Sequence, residues 1–147
     1  MPETRRPRVV LAFDFGLRRI GIAAGDTLTR SARPLRTVAM HDAGPDWAAI
    51  DRELAAHAPA LLVVGTPYND DGTPARLAPA ATAFAASLAQ RYRLQVERVD
   101  ERYSSTEAAS RLREQRAAGT RRRAVRKEDI DSAAAAIFLD SWLAQND

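Results

Sequence analysis

Cysteine is absent and lysine occurs once, at Lys127. The first absence excludes structural disulfides, thiolate-bound zinc and thiol catalysis. The second makes nearly every base an arginine, the side chain suited to bidentate phosphate contacts. No apolar stretch approaches the roughly 20 residues needed to span a bilayer. The basic start, Met1 to Arg8, precedes an apolar run too short for a secretory core and without a small-residue cleavage site. The expected location is therefore the cytoplasm, with no membrane partner. Histidine is scarce. His41 reads as a loop residue and His57 as a helix-end residue with a capping role, and no serine–histidine arrangement is visible.

What remains is enough for one domain with a core. Hydrophobic residues make up 46% of 147, a globular rather than a disordered composition. Residues 1–7 read as a flexible tail and 8–147 as a single domain. Arg8 to Asp14 is nearly continuous in apolar residues, as in a strand covered on both faces. Phe15-Gly16-Leu17-Arg18 reads as a turn, with Gly16 free to take positive φ. Ile20 to Gly25 and about Arg33 to Ala39 read as further strands, and their close spacing implies antiparallel neighbours. Gly44-Pro45 punctuates the chain. Trp47, Ile50, Leu54 and His57 then follow at helical spacing until Pro59.

Leu61 to Gly65 is a short buried strand. Thr66 to Pro74 has turn chemistry, and its place after a strand suits substrate contact. A helix is expected over Ala75 to Tyr92 and a strand over Leu94 to Val99. A helix opened by the Ser104–Glu107 capping box should run to about Ala117, and a last helix from about Glu128 to Ala144. Between these two lies a basic connector, Gly119 to Lys127. The order describes one mixed α/β sheet with helices packed against it.

Three acidic positions stand where apolar order breaks. Asp14 ends the first run, Asp100-Glu101 ends the strand from Leu94, and Asp131 lies on the apolar stripe of the last helix. At about 100° per residue, Phe138 and Trp142 fall within about 20° of Asp131, whereas Asp140 points away and reads as solvated. Each acid has an ordinary explanation: a turn cap for Asp14, a surface pair with Arg98 or Arg102 for Asp100-Glu101, and a helix-dipole contact or a pair with Lys127 for Asp131. Alternation does not choose between Asp100, which shares a face with Val96 and Arg98, and Glu101, which shares one with Val99. Together, however, carboxylates at the edge of a core are costly unless paired or bound to a metal. Oxygen donors suit Mg²⁺ or Mn²⁺, and such ions support phosphodiester cleavage.

These residues resemble a known family. Ala12-Phe13-Asp14-Phe15-Gly16 with Ile20-Gly21-Ile22-Ala23 is similar to the opening of the YqgF/RuvX family. Val63-Val64-Gly65-Thr66-Pro67 with Asn69, Asp71 and Gly72 resembles its glycine–proline loop, with Thr66 where a leucine is common. Asp100-Glu101-Arg102-Tyr103-Ser104-Ser105 resembles its Asp-Glu-Arg segment, and Asp131 to Ile137 its last-helix signature.

The resemblance implies a ribonuclease H-like fold: a five-stranded mixed sheet, the first three strands antiparallel, with helices on both faces. It implies a hydrolase dependent on Mg²⁺ or Mn²⁺, with Asp14, Glu101 and Asp131 as catalytic and metal-binding residues. It implies ribosome biogenesis through 5′ processing of pre-16S ribosomal RNA, or alternatively resolution of four-way DNA junctions. Arg102, Arg121, Arg122, Arg123, Arg126 and Lys127 are the expected nucleic-acid contacts, and Gly65, Pro67, Asn69 and Gly72 the substrate loop. The partner would be precursor ribosomal RNA, with or without the ribosome, and the protein a monomer or homodimer. A non-catalytic ribosome-assembly factor is the rival from a different class. A sugar-kinase-like ATPase would need a second such domain, which this length does not hold.

Overall fold

A computed structural model of the chain describes residues 8–66, 78–100 and 127–145, with the backbone alone at 66, 100 and 127–131. In chain order the elements are β1 (Val9–Phe15), β2 (Arg19–Asp26), β3 (Ser31–His41), β4 (Gly44–Pro45), α1 (Trp47–His57), β5 (Leu61–Thr66), α2 (Ala78–Tyr92), β6 (Val96–Asp100) and α3 (Lys127–Gln145). The expected tail, the 67–74 part of the loop, the capping-box helix and the connector up to residue 126 lie outside the described residues.

One sheet carries the fold, in the order β4-β3-β2-β1-β5-β6. β1 pairs antiparallel with β2, which pairs antiparallel with β3; β5 and β6 continue the sheet in parallel. The sheet has six strands rather than five. Gly44-Pro45, read from sequence as punctuation, forms a two-residue strand on Met40 and His41. It exists because β3 runs two residues past Ala39 and turns back, with Gly44 at φ 125°.

Period-two alternation along β1 sorts its residues between two cores. Leu11, Phe13 and Phe15 join Ile50 and Leu54 of α1 and Phe84 and Leu88 of α2. Val10 and Ala12 join Ala135, Phe138, Leu139 and Trp142 of α3 on the other face. The helices therefore lie on both faces. From Ser132 to Leu139 every residue of α3 is buried, so this is an interior helix and not a surface amphipath.

Two local expectations need correction. Gly16 does not take positive φ; Gly44 is the glycine that does among the described residues. Gly16 is instead required for space, because an added Cβ would lie 2.7 Å from the Arg19 carbonyl oxygen. Asp140 is not solvated either. It is half-buried, and the Ala32 N–H donates to its Oδ1 at 2.8 Å. Among the described residues the outer edge of β3 is paired only at Met40 and His41, so Ala32 takes its acceptor from α3. The sheet curls far enough round the helix for a residue off the facing stripe to reach it.

α1 and α2 are joined by a polar contact. Arg91 Nε and Nη2 donate to Asp51 Oδ1 and Oδ2 at 3.0 and 2.8 Å, and the Tyr92 hydroxyl donates to Oδ1 at 2.6 Å. The Arg91 guanidinium also lies 4.9 Å from the centre of the Trp47 ring. The hydrogen bonds from Arg91 and then Tyr92 hold Asp51 down at about 2, while burial and then the Asp51 contact push Tyr92 up. His57, at the end of α1, lies 3.4 Å from Glu53 one turn back.

Removing the Asp140 acceptor leaves a β3 N–H without its partner. Asp140→Ala should lower stability by about 1–3 kcal/mol in urea denaturation, and Asp140→Asn by clearly less. Asp51 has a folded pKa below its ordinary 3.8, so its contribution is full above that value and lost as pH falls toward about 2. The gap in urea midpoint between the protein and Asp51→Asn should therefore be present at neutral pH and close across that window. A gap that widened with acid would refute the assignment.

Candidate active site at the carboxyl ends of the central strands

Asp14 follows Ala12 on the α3 face of β1, one residue before the strand ends, and is half-buried. Its partner across the β1–β2 ladder is Gly21, so no side chain on β2 crowds it from that register position. β1 pairs in parallel with β5 as far as Phe13 and Val64, and β5 with β6 as far as Thr66 and Asp100. The three parallel strands thus end at one edge. Crevices outside such carboxyl ends are where open α/β sheets place ligands.

α3, which carries Asp131, packs on the Asp14 face of the sheet. An added Cβ at Gly25 would meet Leu143 Cδ1 at 2.8 Å and Leu139 Cδ2 at 3.0 Å, so these leucines sit over the Gly25–Val10 pair. That pair is at the far end of β1 from Asp14. The buried turns before Leu139 pack on the same face, with Ala135, Ala136 and Phe138 in the core that holds Val10 and Ala12. Asp131 belongs to the first turns of α3, ahead of these residues.

β6 supplies the third candidate position. Val96 packs with the α1–α2 core and Val99 with the α3 core. Arg98 Nη1 donates to Thr82 Oγ1 of α2 at 3.0 Å, so Arg98 faces α2. Even positions of β6 thus face α2 and odd positions face α3. Alternation in the sequence left Asp100 and Glu101 open, and the resemblance favours Glu101; β6 as described ends at Asp100. Glu101 itself lies outside the described residues, as do Arg102, Arg121, Arg122, Arg123, Arg126, Pro67, Asn69 and Gly72. Gly65 is buried in β5 opposite Val99, and Lys127 begins α3. Sequence reasoning missed the small residues Gly21, Ala23 and Gly25 along the α3 side of β2. Their signal was present as glycine and alanine alternating with isoleucine and alanine.

With this geometry in place, comparison with known proteins is informative. The family model described as "RuvX: Holliday junction resolvase" matches residues 8–145. The chain belongs to the RuvX family. A Nitrosococcus oceani protein named "Putative pre-16S rRNA nuclease" is 44% identical over 144 residues, covering 98% of this chain and 91% of its own. A Xanthomonas axonopodis pv. citri protein of the same name is 45% identical over 152 residues, covering 100% and 96%. Among solved structures, Thermus thermophilus RuvC in complex with a Holliday junction substrate matches with a TM-score of 0.52 at 16% identity, covering 94% of each chain. The yeast mitochondrial resolvase Ydc2 matches at 0.53 and 10% identity, covering 91% of this chain and 77% of that one. These two likenesses show the RuvC-like, ribonuclease H-like fold.

The close seat of α3 on β2 is testable. Gly25→Val places carbon against Leu143 and Leu139 and within about 3.1 Å of the Ser31 carbonyl. It should cost about 1–3 kcal/mol by chemical denaturation. An unchanged midpoint would mean that α3 does not pack as described.

Proposed function

We propose that this RuvX-family chain is an endonuclease that hydrolyses phosphodiester bonds in RNA, trimming the 5′ end of pre-16S ribosomal RNA in the cytoplasm. The observation that supports the reading is Asp14, half-buried on the α3 face of β1 near the edge where the parallel strands β1, β5 and β6 end. The names borne by relatives 44–45% identical over nearly the whole chain support the RNA substrate. The domain is 8–147, with 1–7 as a tail.

Asp14, Glu101 and Asp131 are the proposed holders of Mg²⁺ or Mn²⁺. The donor set fits such ions, since carboxylate oxygens are what hard cations take, and no sulfur or imidazole is among the three. When bound, the cation supplies Lewis-acid activation for phosphodiester hydrolysis. The protein's own part is positional. β1 carries Asp14 on a packed strand rather than on a loop, and Asp131 belongs to α3. Arg102, Arg121, Arg122, Arg123, Arg126 and Lys127 are assigned to phosphates, and Gly65, Pro67, Asn69 and Gly72 to the loop that borders the substrate. Binding should then weaken with salt.

A second reading has its own support: the family model is described by resolution of Holliday junctions. Symmetric cutting of two strands calls for a dimer, whereas cutting one RNA strand does not. No helix among the described residues is long and apolar enough to cross a membrane.

The test is cleavage of a 5′-extended pre-16S fragment and of a four-way DNA junction with Mn²⁺, Mg²⁺ or EDTA, alongside light scattering. RNA cleavage should require the metal and leave the junction intact. Asp14→Asn should lower kcat by about 10²-fold or more. Junction cutting by a dimer would favour the second reading, and full activity in Asp14→Asn would remove Asp14 from the mechanism.

A further inference from the structure

Among the described residues, two large apolar side chains are exposed: Leu17 at 68% and Leu28 at 70%. Isolated exposed leucines are ordinary. Leu28 is of that kind, in the β2–β3 turn at the opposite end of the sheet from Asp14. Leu17 differs in position and in how firmly it is held. It stands at the tip of the β1–β2 hairpin, three residues after Asp14 and beyond the last ladder pair, Phe15 with Ile20.

Three contacts fix that tip. Gly16 lies so close to the Arg19 carbonyl that no side chain fits there. The Arg18 carbonyl accepts from the Met40 N–H at 2.9 Å, tying the tip to β3. Beneath it the Phe15 ring lies 5.1 Å from Phe84. An apolar side chain is therefore presented to solvent from a braced support, with the exposed Arg18 next to it. Three residues span about 10 Å at most, the length of about three stacked bases.

We propose that Leu17 stacks on, or wedges beside, an unpaired or helix-end base of the RNA within about three nucleotides of the phosphate held at Asp14, while Arg18 engages a flanking phosphate. The hairpin tip then selects for RNA with a base free to leave its stack at that distance, the kind of site at which proteins read RNA most readily. This rests on the nuclease reading and deepens it by naming a specificity determinant of the same site. Arg18 gives the contact charge and Leu17 gives it a preference for an exposed base face.

The experiment uses the full chain and a 5′-extended pre-16S fragment in which 2-aminopurine is walked along the extension, one position per RNA. Binding is followed in EDTA, so the readout does not depend on cleavage. The wild type should change the fluorescence at one or two adjacent positions. Leu17→Ala should lose most of that change, Leu17→Phe should keep it, and Leu28→Ala should match the wild type. In a parallel Mn²⁺ arm on unlabelled RNA, Leu17→Ala should lower kcat/KM about tenfold, with unchanged circular dichroism and melting. Fluorescence changes that are the same in wild type and Leu17→Ala, or absent in both, overturn the inference even if the RNA is cut. Absence of cutting by the wild type speaks against the nuclease reading, and the fluorescence arm still decides the contact.

Discussion

The structure depends on one strand buried on both faces that carries a carboxylate one residue before its end. β1 places Leu11 and Phe13 in one core and Val10 and Ala12 in the other, all without solvent exposure. A carboxylate joined to such a strand is drawn partly out of water, and desolvating a charge costs several kcal/mol unless a partner compensates. Burial of Phe138, Leu139, Trp142 and Leu143 against the α3 face contributes roughly 1.5–3 kcal/mol each. The same packing fixes where the acid points, because moving Asp14 by one residue would transfer Val10 and Ala12 to the wrong core.

The opposite face serves the arrangement indirectly. Phe84 of α2 meets Phe13, Phe15 and Trp47 within 6 Å, centroid to centroid. α2 is thereby anchored on β1 as well as through Asp51 and Arg91 to α1. Arg98 adds a link from β6: its Nη1 reaches Thr82, whose hydroxyl donates to the Ala78 carbonyl at 3.0 Å, at the start of α2. Its Nε is buried without a hydrogen-bond partner among the described residues. β6 and the start of α2 are thus joined by a charged side chain in addition to the packing of Val96.

Much of this was legible in the residues, and the parts that were not share a cause. The apolar run to Asp14 and the helical spacing from Trp47 to His57 are local signals, and both elements formed where periodicity placed them. Asp140 reads as external on a helical wheel, yet its role depends on how far β3 curls round α3. Gly44-Pro45 reads as a break, yet it pairs because β3 is longer than its apolar pattern. Gly16 reads as a residue needing unusual φ, whereas its need is clearance from a carbonyl three residues on. Each miss concerns a partner distant in sequence or a steric contact that no periodicity encodes. Asp14 stood out from sequence as an acid closing an apolar strand. Between Asp100 and Glu101 periodicity did not decide; Glu101 came from the family resemblance, and it lies outside the described residues.

Strand direction determines which residues of the sheet can share an edge. Strands that run the same way must end at the same edge, and period two then decides which of their last residues share a face. On β1 the α3 face takes residues 10, 12 and 14. On β6 the same face takes Val99, with α2 taking Arg98. Alternation and strand direction thus give Asp14 and Val99 the same face near one edge of the sheet. The small residues Gly21, Ala23 and Gly25 of β2 let α3 pack closely on that face, where a bulkier residue at Gly25 would meet Leu139 and Leu143.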